Sequence, residues 1–159
     1  MFGKRVSEYL RFQWPLLALT AAVGIARLGL SLAGTPDSTV RWLSMNVLLW
    51  AGAFYYGVAV HRRAFGSYKQ LLPLVFFQVV VLHVVAVTGI LLAIAGSPNV
   101  FAAPEFSGPM AQNQWLHALA HLTVGMVVAP LLLWGAASLA MWIAKRAVAR
   151  PGLREGTPA

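Results

Sequence analysis

Leu71-Leu72-Pro73-Leu74-Val75-Phe76-Phe77-Gln78-Val79-Val80-Val81-Leu82-His83-Val84-Val85-Ala86-Val87-Thr88-Gly89-Ile90-Leu91-Leu92-Ala93-Ile94-Ala95 contains no Asp, Glu, Lys or Arg. At a rise of about 1.5 Å per residue, a helix of this length exceeds the ~30 Å hydrocarbon core of a bilayer. Three more apolar stretches lie outward from it, at 14–33, 40–60 and 115–144, the first two with one charged residue each, Arg27 and Arg41. The expected fold is therefore all-α: an integral membrane four-helix bundle spanning 1–159 as one domain. Residues 96–114 form the longest loop and 145–159 a basic tail.

Composition agrees with that reading. The chain is 59% hydrophobic and 10% charged, a balance suited to helices whose outward faces meet lipid. It has no cysteine, which excludes disulfides, iron–sulfur clusters, thiolate metal sites and c-type haem attachment.

The net charge of +8 has a topological pattern rather than that of a nucleic-acid binder. Lys4, Arg5 and Arg11 precede the first stretch, Arg62, Arg63 and Lys69 separate the second from the third, and Lys145, Arg146, Arg150 and Arg154 follow the fourth. The other side holds Arg41 with Asp37 and Glu105. The positive-inside rule then puts both termini in the cytoplasm, with the basic clusters against anionic headgroups of a bacterial cytoplasmic (inner) membrane. The first apolar run is too long for a signal-peptide core and Arg27 interrupts it, so it is expected to stay in the mature chain.

Local signals mark the connections. Gly34-Thr35-Pro36-Asp37-Ser38 should stop the first helix, with Asp37 or Ser38 capping the second. Pro73 is expected in the first turn of the third helix, and Pro130 should kink the fourth. Trp14, Trp42, Trp115 and Trp142 fall at expected membrane–water boundaries.

Polar residues inside the spans carry the functional information, because a charge at a helix centre costs at least about 2.5 kcal/mol and turns inward toward partners. At 100° per residue, Arg27 shares a stripe with Thr20, Gly24 and Ser31, and Asn46 shares one with Ala53, Gly57 and His61. His117, His121, Gly125, Ala129, Ala136 and Ala140 form a similar stripe of small residues, suited to close helix packing. Arg27 and Asn46 lie about 9 Å below the outer ends, at a similar level. An outer polar cluster of Arg27, Asn46, His117 and His121 is expected, with Glu105 or Asp37 as counter-charge.

His117 and His121 are spaced i, i+4, as metal ligands on one helical face are, and Glu105 is the candidate third ligand. Ala118 stands where a zinc protease carries Glu, so that mechanism is not supported. His83 and His121 are the candidate haem b ligands, although counting the rise puts them roughly 9 to 15 Å apart in depth. A quinone contact at His83 is the third cofactor option. No phosphate-binding loop, nucleophile elbow or pair of intramembrane carboxylates is present.

In size, inward histidines and interior arginine the chain resembles the four-helix membrane anchors of respiratory enzymes, a likeness of architecture without a shared motif. The function expected is that of a structural or accessory membrane subunit working through helix–helix contacts in a homo- or hetero-oligomer, and not an enzyme on its own. The alternative is a redox anchor whose site comprises His83, His121, Arg27 and Asn46.

Overall fold

The computed structural model describes residues 1–103, 109 and 112–148. It is all-helical, with no strand among the described residues. Four helical stretches are long and apolar enough to cross a membrane: Val6–Leu32, Asp37–Arg62, Tyr68–Ile94 and Gln114–Ala147. Within them α1 is Val6–Leu32, α2 Asp37–Val40, α3 Met45–Arg62 and α4 Tyr68–Ile94. A 3₁₀ turn, Val100–Ala102, leads toward the last span, which consists of α5 Gln114–Ala120, a π turn His121–Gly125 and α6 Met126–Val148.

The start of α4, the N-terminus and the end of α6 meet at one end of the bundle. Gln70 Nε2 donates to the Phe2 carbonyl at 2.8 Å, and Lys145 Nζ sits 4.4 Å from the centre of the Tyr68 ring. This is the terminal end. At the opposite, loop end, Gly34 and Gly96 take the left-handed conformation, at φ of 80° and 93°, that turns the chain out of α1 and α4.

Several boundaries differ from the sequence expectation. The first helix begins at Val6 rather than 14, because the Arg5 N–H donates to Glu8 Oε2 at 2.7 Å and closes a polar first turn beyond the apolar run. The second span is broken: Asp37 opens only the short α2, and Ser44 caps α3 by accepting from the Val47 N–H at 3.4 Å. Ser67 and Gln70 start the third helix earlier than residue 71, with the Ser67 N–H donating to Gln70 Oε1 at 2.8 Å, so Pro73 falls in the second turn.

The centre of the bundle is α4. In its most apolar stretch 56% of residues are buried, against 11% for α1, which makes α1 the peripheral helix. The broadest contact is between α3 and α6, where Gly57 lies against the Ala137 carbonyl, the Ala140 side chain and the Met141 N–H. Tyr9, Tyr56, Val60, Leu71, Leu74, Val75 and Met141 fill the terminal half of the core. Two polar links cross it: the Tyr56 hydroxyl donates to Gln13 Oε1 at 3.0 Å, and Gln78 Nε2 donates to Thr20 Oγ1 at 3.3 Å and the Leu48 carbonyl at 2.9 Å. Charge counting and histidine spacing do not single out either glutamine; the isolation of Gln78 within an uncharged run is a signal for it, whereas Gln13 precedes the first run.

The small-residue stripe of the fourth span is displaced by one position. Ala137, fully buried, is the residue against Gly57, while Ala136 is only partly buried. The π turn explains the shift. Closing i→i+5 rather than i→i+4, it holds one extra residue and moves the facing position from Ala136 to Ala137, while Ala140 of the expected stripe stays buried against Gly57. The departure from α geometry is therefore at His121–Gly125, a turn before Pro130.

Candidate functional site

A cavity of about 200 Å³ lies at the loop end, and Arg27, Asn46, His117 and His121 all line it. The cluster expected from helical spacing is thus assembled from three separate spans. Apolar walls come from Met45, Leu82 and Ala86, and the connection after α4 contributes Val100 and Phe101.

That connection folds back into the bundle. Asn99 Nδ2 donates to the Gly89 carbonyl at 2.7 Å, and the Val100 N–H donates to Ser31 Oγ at 2.8 Å. Gly89 is needed there, since a Cβ would press on Phe101 and on Asn99 Oδ1. These contacts draw Phe101 beneath the ends of α1 and α4 and carry the chain inward before the fourth span begins. The run 99–106 thus has a structural role over its first residues; 104–106 lie outside the described residues.

The counter-charge on Arg27 includes Asp37, with Nη2 to Oδ1 at 3.2 Å. The arginine side chain is 13% exposed and the aspartate 39%. Glu105, the other candidate acid and the third candidate metal ligand, lies outside the described residues.

Three histidines converge behind this pair. His121 Nε2 and His117 Nε2 are 3.2 Å apart, so one ring supplies the proton and the other the lone pair. His117 Nδ1 is buried without a hydrogen-bond partner among the described residues. The His83 ring lies 5.1 Å from that of His121, centre to centre, with the planes at 68°. His83 Nδ1 is 2.8 Å from the Val79 carbonyl, an acceptor, so Nδ1 carries a proton and Nε2 points toward Gly125. A side chain at 125 would overlap the His83 ring, which accounts for glycine at this point of the π turn.

The depth difference expected between His83 and His121 is not found: their rings are in contact. The fourth span starts alongside α4, with α5 in contact with it, and counting the rise from loop ends misses that. Matching height does not make a haem site, because rings in contact leave no slot for a porphyrin and the cavity is below the about 300–1,000 Å³ usual for larger ligands. The His117–His121 spacing is close to the ~3.3 Å between two nitrogen ligands of a tetrahedral ion. No group of three His, Cys, Asp or Glu able to hold a metal forms among the described residues.

The arrangement can donate hydrogen bonds from a guanidinium, a carboxamide and an imidazole into a small, otherwise apolar space. Its complement is a compact ligand rich in acceptor oxygens. The chain matches no protein-family model, and no match to it is found among curated proteins or solved structures.

Proposed function

We propose that this membrane protein is an accessory subunit of a redox assembly in the bacterial cytoplasmic membrane, and that its own contribution is a binding site for a quinone headgroup. One observation carries the reading: Arg27 from α1, Asn46 from α3 and His117 and His121 from the fourth span face a single small cavity walled by Leu82, Ala86 and Phe101. Ionisable residues at membrane depth mark ligand sites by default, and ligand pockets combine apolar walls with a few convergent polar groups. A quinone ring suits the apolar walls, and its carbonyl oxygens accept from the donors. A metal cation would instead share the cavity with the Arg27 guanidinium.

Orientation follows the charges. The eight described bases at and around the terminal end, Lys4, Arg5, Arg11, Arg62, Arg63, Lys69, Lys145 and Arg146, face the cytoplasm, so the cavity belongs to the outer half of the bilayer. The sparsely buried α1 offers a face for further membrane helices, whether from another copy or from an electron-accepting partner.

Organic extraction of the purified protein, with an absorption spectrum and metal analysis of the same sample, tests the site. The expected result is near-stoichiometric quinone, lost on Arg27→Leu or His121→Leu and kept in Ser138→Ala. A Soret band, a stoichiometric metal, or wild-type protein that neither carries nor rebinds quinone overturns the reading. Single cysteines at Ser67 and Ser97 test orientation: only the one at 97 should label from outside the cell.

A further inference from the structure

At the terminal end, on the opposite side of the bundle from the histidine cavity, α1 and α3 diverge and leave a cleft of about 590 Å³. Its mouth carries two guanidinium groups, Arg11 and Arg63, and its lining contains no carboxylate. Arg63 is held in place by two rings, its guanidinium carbon 5.6 Å from the centre of Phe12 and 6.0 Å from that of Tyr55. Trp14, a residue of the interfacial belt, stands beside them, and the inner part of the cleft is aliphatic, with Leu16, Leu19 and Leu48.

Gln13 supplies the second, independent sign of a ligand. It lines the cleft and is 1% exposed; its Oε1 accepts from Tyr56, yet its buried Nε2 has no hydrogen-bond partner among the described residues. A buried amide donor left unpaired forfeits its hydration without gaining a partner, so a ligand that supplies an acceptor there satisfies it.

We infer that this cleft binds one anionic glycerophospholipid of the adjacent leaflet. The phosphate takes the two arginines, an ester carbonyl takes the Gln13 amide, and an acyl chain lies along Leu16, Leu19 and Leu48. Charge selects the occupant: with two arginines and no carboxylate in its lining, and with the neighbouring Glu8 paired to Lys4 at 3.4 Å, the cleft favours an anionic headgroup over a zwitterionic one. The continuous step from arginine through tryptophan to leucine matches a lipid from headgroup to tail, where a free phosphate would leave the aliphatic part unused. The aliphatic end of the cleft comes within two residues of Asn46 along α3, but no residue lines both sites, and this site does not depend on the quinone cavity.

Native mass spectrometry and thermal unfolding of the full chain in detergent test the assignment, with phosphatidylglycerol, phosphatidylcholine and glycerol 3-phosphate as probes. Phosphatidylglycerol should form a one-to-one adduct and raise the unfolding temperature, with a preference of at least about fivefold over phosphatidylcholine, as expected for two basic groups at a membrane surface. The Arg11→Gln/Arg63→Gln protein should lose that preference, while Arg62→Gln/Arg146→Gln, outside the cleft, keeps it. Leu48→Trp, which fills the aliphatic part and leaves both charges, should weaken the adduct severalfold and guards against a folding defect in the double variant. Equal binding of the two lipids, an unchanged preference in Arg11→Gln/Arg63→Gln, or stabilisation by glycerol 3-phosphate as large as that by the lipid would each overturn the proposal.

Discussion

Gly57 and Gly125 are both glycines at helix contacts, but they serve opposite halves of the bundle. Gly57 lets α3 rest on the α6 backbone, against the Ala137 carbonyl and the Met141 N–H, in a region where Tyr56, Val60 and Ala137 have no exposed surface. Gly125 leaves room for an imidazole, that of His83, beside a cavity lined by two further histidines. In the first case the space a side chain would occupy is filled by backbone, which cannot retreat. In the second it is filled by a functional group. The terminal half is where the helices are fastened, and the loop half is where they are spaced to admit something else.

The fastening should show the largest response. Gly57→Leu forces four heavy atoms into the α3–α6 contact and should cost about 3 kcal/mol or more, the upper range for overpacking. Ala137→Leu should do nearly as much, whereas Val127→Leu, at a position 60% exposed, should change little. Thermal unfolding in detergent ranks the three. Ala136→Leu is the sharper probe: the one-residue shift made by the π turn predicts that it is tolerated better than Ala137→Leu, and the reverse order would mean that the shift is absent.

At the other glycine, two effects oppose each other. Gly125→Ala gains helix propensity of about 0.8–1 kcal/mol, and it displaces the His83 ring, an overpacking cost of about 1–3 kcal/mol. Net stability should fall by no more than about 2 kcal/mol by these figures, while quinone retention falls severalfold because His83 and His121 move together. A variant that loses stability like Gly57→Leu but keeps its quinone would make the two glycines equivalent and remove the distinction between the halves.

What was legible in the sequence is what a one-dimensional pattern carries. Long apolar runs mark the spans, and helical spacing grouped Arg27, Asn46, His117 and His121, which do line one cavity. The misplaced level and turn of the fourth span depend on contacts between distant residues, whereas the misplaced starts of α1 and α4 rest on local caps, Arg5 with Glu8 and Ser67 with Gln70. The fourth span starts alongside α4 rather than at its end, and this brings His121 to the level of His83. No spacing rule encodes that placement. The π turn is hidden for the same reason, since His121-Leu122-Thr123-Val124-Gly125 reads as ordinary helix until His83 occupies the space beside Gly125. The break between α2 and α3 lies in Arg41-Trp42-Leu43-Ser44, where the apolar run itself continues.

Asp37→Asn should give the smallest effect, and it separates holding the bundle from tuning the site. The Arg27–Asp37 contact of 3.2 Å joins a largely buried guanidinium to a carboxylate that is 39% exposed. Exposed ion pairs contribute about 0–1 kcal/mol, so the unfolding temperature should hardly move, in contrast to Gly57→Leu. The charge at the cavity does change. With Asp37 neutralised, Arg27 becomes a stronger donor to an oxygen that bears negative charge, so an anionic ring analogue should bind about two- to fivefold more tightly, an energy difference within the range for a partly exposed pair. A neutral quinone should respond less. Titrations of the two analogues against wild type and Asp37→Asn measure that difference directly. If both affinities stay the same while Arg27→Leu abolishes binding, Arg27 acts in the cavity independently of Asp37, and the aspartate serves only to fasten α2 to α1.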